Sequence, residues 1–139
     1  MIVLDTNVVS EPLRPAAEPA VLAWLDQQNI ETLFLTTISL AELRYGVAAL
    51  PDGRRKDGLR AAVESRIVAL FGPRILSFDS DAADAYRLIR ARAKAAGQAI
   101  SASDGYIAAT AVAHGFAVAT RDTGPFEAAG LSVINPWAA

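Results

Sequence analysis

Cysteine is missing from the chain altogether, which excludes a disulfide framework, a thiolate metal site and a cysteine nucleophile. Histidine is nearly missing too. The single His114 rules out multi-histidine zinc sites and leaves any serine–histidine–aspartate triad dependent on one ring. Oxygens are the ligands that remain. A basic excess is also lacking: 13 lysines and arginines face 15 aspartates and glutamates, a formal charge of −2. With a pI near 5.3 this balance argues against coating nucleic acid by bulk attraction, while leaving room for a local basic rim. No apolar run approaches the roughly 18 residues that cross a bilayer. Met1-Ile2-Val3-Leu4-Asp5 has no basic stretch and meets a charge at position five, unlike a signal peptide, so a cytoplasmic location is expected.

What is present is alternation. Short apolar runs at Ile2–Leu4, Thr32–Thr36, Ile75–Phe78, Ala117–Thr120 and Leu131–Ile134 alternate with helical patterns, as in an α/β domain, and the 139 residues suit one domain spanning 1–139. Ile2–Leu4 is too short and too uniformly apolar for a half-exposed strand and belongs in the middle of a parallel sheet. A short helix is predicted over Val8–Leu13, and a second from Pro19 with Val21, Leu22 and Leu25 as its stripe. Ser39-Leu40-Ala41-Glu42 has the form of a capping box. Leu43, Val47 and Leu50 continue its buried face, and Leu59, Val63 and Ile67 complete a helical hairpin over 39–70. Asp81–Ala96, stopped by Gly97, and Ser101–Ala113 are the remaining helices.

Four acids stand out on this frame: Asp5, Glu42, Asp104 and Asp122. Two close strands and two are read in first turns of helices, positions that share one edge of a parallel α/β sheet. Each has an ordinary structural use. Glu42 can complete the capping box, Asp104 can answer the helix dipole for ~0.3–1 kcal/mol, and Asp5 and Asp122 can accept local turn amides. Together they would repel one another and raise their pKa values unless a divalent cation such as Mg²⁺ or Mn²⁺ relieved the repulsion. Gly46, one turn after Glu42, costs about 1 kcal/mol in a helix and points either to that site or to close helix packing. His114 before Gly115 reads as a C-terminal cap, and Trp24 and Trp137 as core or dimer anchors. Arg54-Arg55-Lys56 reads as a solvated turn; Arg44 and Arg121, beside the acids, are candidate contacts to an anionic ligand or a partner. A hydrophobic fraction of 53% suggests an apolar patch covered by another chain.

The stretches Met1-Ile2-Val3-Leu4-Asp5-Thr6-Asn7-Val8-Val9-Ser10-Glu11, Ser39 to Gly46, Asp104 to Ala111 and Ala119 to Phe126 resemble the PIN (PilT N-terminus) domain over residues 1 to about 136. Within it they are most similar to VapC-like toxins of type II toxin–antitoxin systems, in the FitB-like branch. The resemblance implies a three-layer α/β/α fold with a central, mostly parallel sheet of four to five strands. It also implies an Mg²⁺- or Mn²⁺-dependent ribonuclease that forms a homodimer and is silenced by a cognate antitoxin carrying its own DNA-binding domain. The family's four acids fall on Asp5, Glu42, Asp104 and Asp122, with metal expected on Asp5, Asp104 and Asp122. Thr6, Asn7, Ser103 and Thr120 fall where the family places supporting polar residues. Relatives often read threonine-arginine-asparagine-x-x-aspartate-phenylalanine in the last motif, whereas here Asp122 takes the first polar position and Pro125 the second.

Two other classes compete with the nuclease. A receiver-like phosphoacceptor domain would need paired acids after the first strand and a lysine near position 121, where this chain has one acid and Arg121. A PIN-like fold without catalysis, acting as a binding module with a DNA-binding partner, is compatible with Pro125.

Overall fold

Five strands, β1 (Ile2–Leu4), β2 (Leu33–Thr36), β3 (Ile75–Leu76), β4 (Ala117–Ala119) and β5 (Val133–Ile134), lie in the order β3-β2-β1-β4-β5 in the computed structural model, which describes residues 1–139. All four neighbouring pairs are parallel. Ile2 aligns with Leu33 and Ala117, and Val3 with Phe34 and Val118, so β1 is paired on both sides at the centre of the sheet. A strand buried on both faces needs no polar alternation, which is why Ile2-Val3-Leu4 is uniformly apolar.

Successive side chains point to opposite faces and build two cores. Leu4 and Ala119 join Val8, Trp24, Leu35, Leu43, Val63 and Phe71 on one side. Val3 and Val118 join Ile89, Ile107, Ala108 and Phe126 on the other. The first core is covered by α1 (Thr6–Ser10), α2 (Pro19–Gln27), α3 (Thr37–Ala48) and α4 (Arg54–Ala61), which runs through a π-helical stretch, Ala62–Ile67, into α5 (Val68–Phe71). The second is covered by α6 (Ser80–Ala95), α7 (Ala102–His114) and α8 (Thr123–Ala128). Helices thus flank both faces of a five-stranded parallel sheet, the predicted three-layer arrangement.

Glycine sets the approach of α6 to α7. A methyl group on Gly105 would lie 2.9 Å from the Tyr86 ring. α7 then ends at Gly115, whose φ of +72° is left-handed, and the Phe116 N–H closes on the Ala111 carbonyl at 2.9 Å.

The capping box expected at Ser39–Glu42 is absent. β2 remains extended to Thr36, whose Oγ1 accepts the Ser39 N–H at 3.1 Å, so the helix begins three residues early, Ser39 is buried in its first turn and Glu42 falls in the second. Arg54-Arg55-Lys56 forms the first turn of α4, with Arg54 and Arg55 exposed as expected of a solvated run, while Lys56 Nζ reaches the Ala48 carbonyl at 3.2 Å and Asp52 at 3.3 Å. Leu22 is exposed, and Trp24 is buried on α2 instead. Gly46 borders open space, which removes close helix packing as its reason. His114 makes no capping bond; Gly115 and Phe116 occupy the last carbonyls, and the imidazole stacks on Phe116 at 5.4 Å. Trp137 is half-buried against the first core.

Candidate active site

Asp5 ends β1 and caps α1. Its backbone N–H donates to the Ala119 carbonyl at 2.9 Å, which pins it to the neighbouring strand. Its Oδ1 accepts the Thr6 N–H at 2.7 Å and its Oδ2 accepts the Thr120 hydroxyl at 2.8 Å, leaving the side chain 4% exposed. Burial, with the charges of Asp104 and Glu42 behind it, raises its pKa from 3.8 to about 6 against the lowering pull of those two hydrogen bonds. Thr120, fully buried at the end of β4, does a second task by accepting the Asp122 N–H on the same oxygen at 3.1 Å.

Asp104 sits in the first turn of α7, its N–H donating to the cap Ser101 Oγ at 3.2 Å. Burial raises its carboxyl above the ordinary range, the Ser101 bond opposes this, and Asp122 and Glu42 add to it. Asp122 caps α8 without using its side chain on the helix, so that carboxylate is left for the cleft. Glu42 reaches in from α3. Thr6 Oγ1 lies 2.8 Å from Glu42 Oε1 and 2.8 Å from Ser39 Oγ. One proton cannot serve both; a carboxylate only accepts, so Thr6 donates to Glu42 and receives the proton of Ser39.

These side chains line one cleft of about 310 Å³, made by Asp5, Thr6, Asn7, Ser10, Glu42, Asp104 and Asp122, with no apolar residue and no lysine or arginine in its wall. A second groove of similar volume differs in chemistry: lined by Leu4, Val9, Leu33, Ile67 and Phe71, it is almost wholly apolar and holds no acid. No three acidic groups close around a single point as the side chains stand. The donor set nonetheless fits a hard divalent cation, because it is all oxygen, mutually repulsive and uncompensated, and Mg²⁺ binds through one or two carboxylates while keeping its waters. Asp5, Asp104 and Asp122 are the groups that could hold it.

The other predicted positions divide. Asn7 lines the cleft and its Oδ1 accepts the Arg121 N–H at 3.4 Å. Ser103 does not line it; its Oγ is the one buried side-chain oxygen without a partner. Arg44 is taken away by Glu64, with Nε–Oε1 at 2.8 Å and Nη2–Oε2 at 3.0 Å. Arg121 lies over the Trp137 ring, 5.3 Å from its centroid. Pro125 is the third residue of α8, where a missing N–H costs little, and its carbonyl still accepts the Ala129 N–H at 3.1 Å. The sequence assigns no site role to Ser10 or Thr36, and to Ser39 only that of a cap. For Thr36 the signal exists, a threonine three residues before Ser39 at the end of an apolar strand.

Comparison with known proteins places the chain among relatives of full length. It is 56% identical to the VapC ribonuclease Y4jK of Sinorhizobium fredii over 137 residues, 99% of this chain and 98% of that protein. It is 53% identical to the toxin FitB of Neisseria gonorrhoeae, with 99% of each covered. The structure of FitAB bound to an IR36 DNA fragment superposes with a TM-score of 0.95 at 52% identity, covering 99% of this chain and 96% of that one. The model of the PIN domain matches residues 2–131, and the chain therefore belongs to the PIN domain family.

Proposed function

We propose that this chain is a metal-dependent endoribonuclease and the toxin of a type II toxin–antitoxin pair. The carrying observation is the wholly polar cleft in which Asp5, Glu42, Asp104 and Asp122 meet with no lysine or arginine in its wall, two of them with raised pKa values. Asp5, Asp104 and Asp122 would hold Mg²⁺ or Mn²⁺. When bound, such an ion supplies Lewis acidity toward a phosphodiester and lowers the pKa of water.

The chain's own groups then do the remaining work. Thr120 and the Thr6 N–H fix the orientation of the Asp5 carboxylate through one hydrogen bond to each oxygen. Glu42, steadied by the Thr6 hydroxyl, takes the proton of the attacking water. The water oxygen bonds to phosphorus, the P–O3′ bond breaks, and the departing oxygen is protonated from solvent, leaving a 5′-phosphate and a 3′-hydroxyl. The ribose 2′-hydroxyl takes no part, so restriction to RNA rests on the shape of the groove.

The relatives' names and the FitAB–DNA structure support the partner assignment, a cognate antitoxin with a DNA-binding function; the proposal adds that it acts on a homodimer of this chain in the cytoplasm. The test is cleavage of cellular RNA by purified, antitoxin-free protein in Mg²⁺, Mn²⁺ or EDTA, beside Asp5→Asn. Metal-dependent cleavage that the variant lacks is expected. Cleavage unaffected by EDTA or by Asp5→Asn would overturn the proposal.

A further inference from the structure

Glu11 is the only buried carboxylate outside the cleft, at 3% exposure, and the chemistry above makes no use of it. Its Oε1 and Oε2 accept from Arg14 Nη1 at 3.0 and 3.4 Å, and Oε2 also accepts the Glu18 N–H at 3.0 Å. Arg121 acts on the same carboxylate through space. The guanidinium of Arg121 is in turn laid over Trp137, and its backbone is tied to Asn7. Arg14 is thereby paired, whereas Arg121 makes no ion pair of its own, so its charge is a positive surplus at this edge.

The location of that surplus matters. Asn7, Ser10 and Asp122 line the acidic cleft, and each is bonded to, or a chain neighbour of, Arg121 or Glu11. The surplus therefore flanks a cleft that by itself repels a polyanion. Both guanidiniums stay open to solvent, the Arg14 side chain being 60% exposed. Other arginines serve less well: Arg44 is engaged by Glu64, and Arg54, Arg55 and Arg66 line a separate pocket that shares no residue with the cleft.

We propose that Arg14, held by Glu11, and Arg121, held over the Trp137 ring, form a phosphate-binding rim that receives the single-stranded RNA backbone beside the scissile linkage. The proposal rests on the ribonuclease reading and gives it a substrate-positioning element. The arginine fork matches phosphate oxygens two at a time, and the ring and the buried carboxylate restrict where the fork can point. Glu11 and Trp137 are positioning residues; Arg14 and Arg121 touch the substrate.

The experiment measures binding of a labelled random-sequence oligoribonucleotide in EDTA, from about 50 to about 200 mM salt, alongside cleavage of cellular RNA in Mg²⁺. Full-length wild type is compared with Arg121→Ala, Arg121→Lys, Trp137→Leu and Arg87→Ala. Arg121→Ala is expected to weaken binding about tenfold and to reduce the slope of log K against log salt by about 0.7, one phosphate contact on a single strand. Arg121→Lys restores the slope but only part of the affinity, Trp137→Leu keeps the slope and loses affinity about threefold, and Arg87→Ala changes neither. Wild-type cleavage with unchanged binding and slope in Arg121→Ala overturns the rim and leaves the ribonuclease standing. Loss of antitoxin affinity in Arg121→Ala with RNA binding intact overturns it in favour of a protein contact. A wild type that cleaves no RNA with either metal removes the reading beneath it.

Discussion

Asp5 and Glu11 lie six residues apart in one motif, are almost equally buried, and are driven in opposite directions. Asp5 is raised to about 6, while Glu11 is held below the ordinary carboxylate range. Both lose solvent, so burial alone does not decide the outcome. Glu11 receives the Glu18 amide first and then the Arg14 guanidinium, with Arg121 nearby. Asp5 has two neutral donors and faces Asp104 and Glu42. The lesson is that a buried carboxylate is a structural anchor when the fold brings it cations and amides, and a reactive position when the fold brings it other acids.

The largest expected effect comes from removing the Asp5 charge. Asp5→Asn should lower cleavage at least about a thousandfold, as loss of a central metal-binding carboxylate. In EDTA at pH 7 the same variant should be more stable than wild type. The sign follows from linkage: a carboxyl whose folded pKa is raised from 3.8 to about 6 binds its proton more tightly when folded. Its favourable contribution is therefore present below about pH 4 and lost as pH rises to about 6, up to about 3 kcal/mol in all. Asparagine recovers part of that, and urea midpoints in EDTA would read it; an equal or lower midpoint breaks the contrast with Glu11.

Glu11→Ala should do the reverse and destabilise by about 2 kcal/mol, since the Glu18 N–H and Arg14 lose their acceptor. Thr120→Val should cost about 1 kcal/mol, push the Asp5 carboxyl further up and weaken metal binding about tenfold, read by calorimetric titration with Mn²⁺. The smallest effect belongs to Arg44→Ala: the Arg44–Glu64 pair is exposed, and no change in the unfolding midpoint is expected.

Much of the site was legible in one dimension. Asp5 and Asp122 follow short apolar strands, and Asp104 begins an alanine-rich helix after the cap Ser101, so a parallel sheet had to bring them to one edge. Glu42 also reaches that edge, but from the second turn of its helix, not the first turn that the capping box assigned to it. Both Thr36 and Ser39 can cap a helix, and pairing of β2 with β1 and β3 keeps Thr36 extended and hands it the task. The partner of Arg44 was hidden for a similar cause, because Glu64 lies twenty residues away on a segment whose π-helical turn no local pattern announces.

By itself the sequence determined the class of fold, the oxygen-only chemistry and the three acids whose places follow from strand ends and helix starts, since periodicity and missing residue types are local properties. Only the tertiary structure decided which acids stay uncompensated and which acquire cations. That outcome depends on which groups the folded chain brings together, Thr120 with Asp5, Thr6 with Glu42, and the Glu18 amide and Arg14 with Glu11, in a medium where a few ångströms of separation set the size of the electrostatic energy.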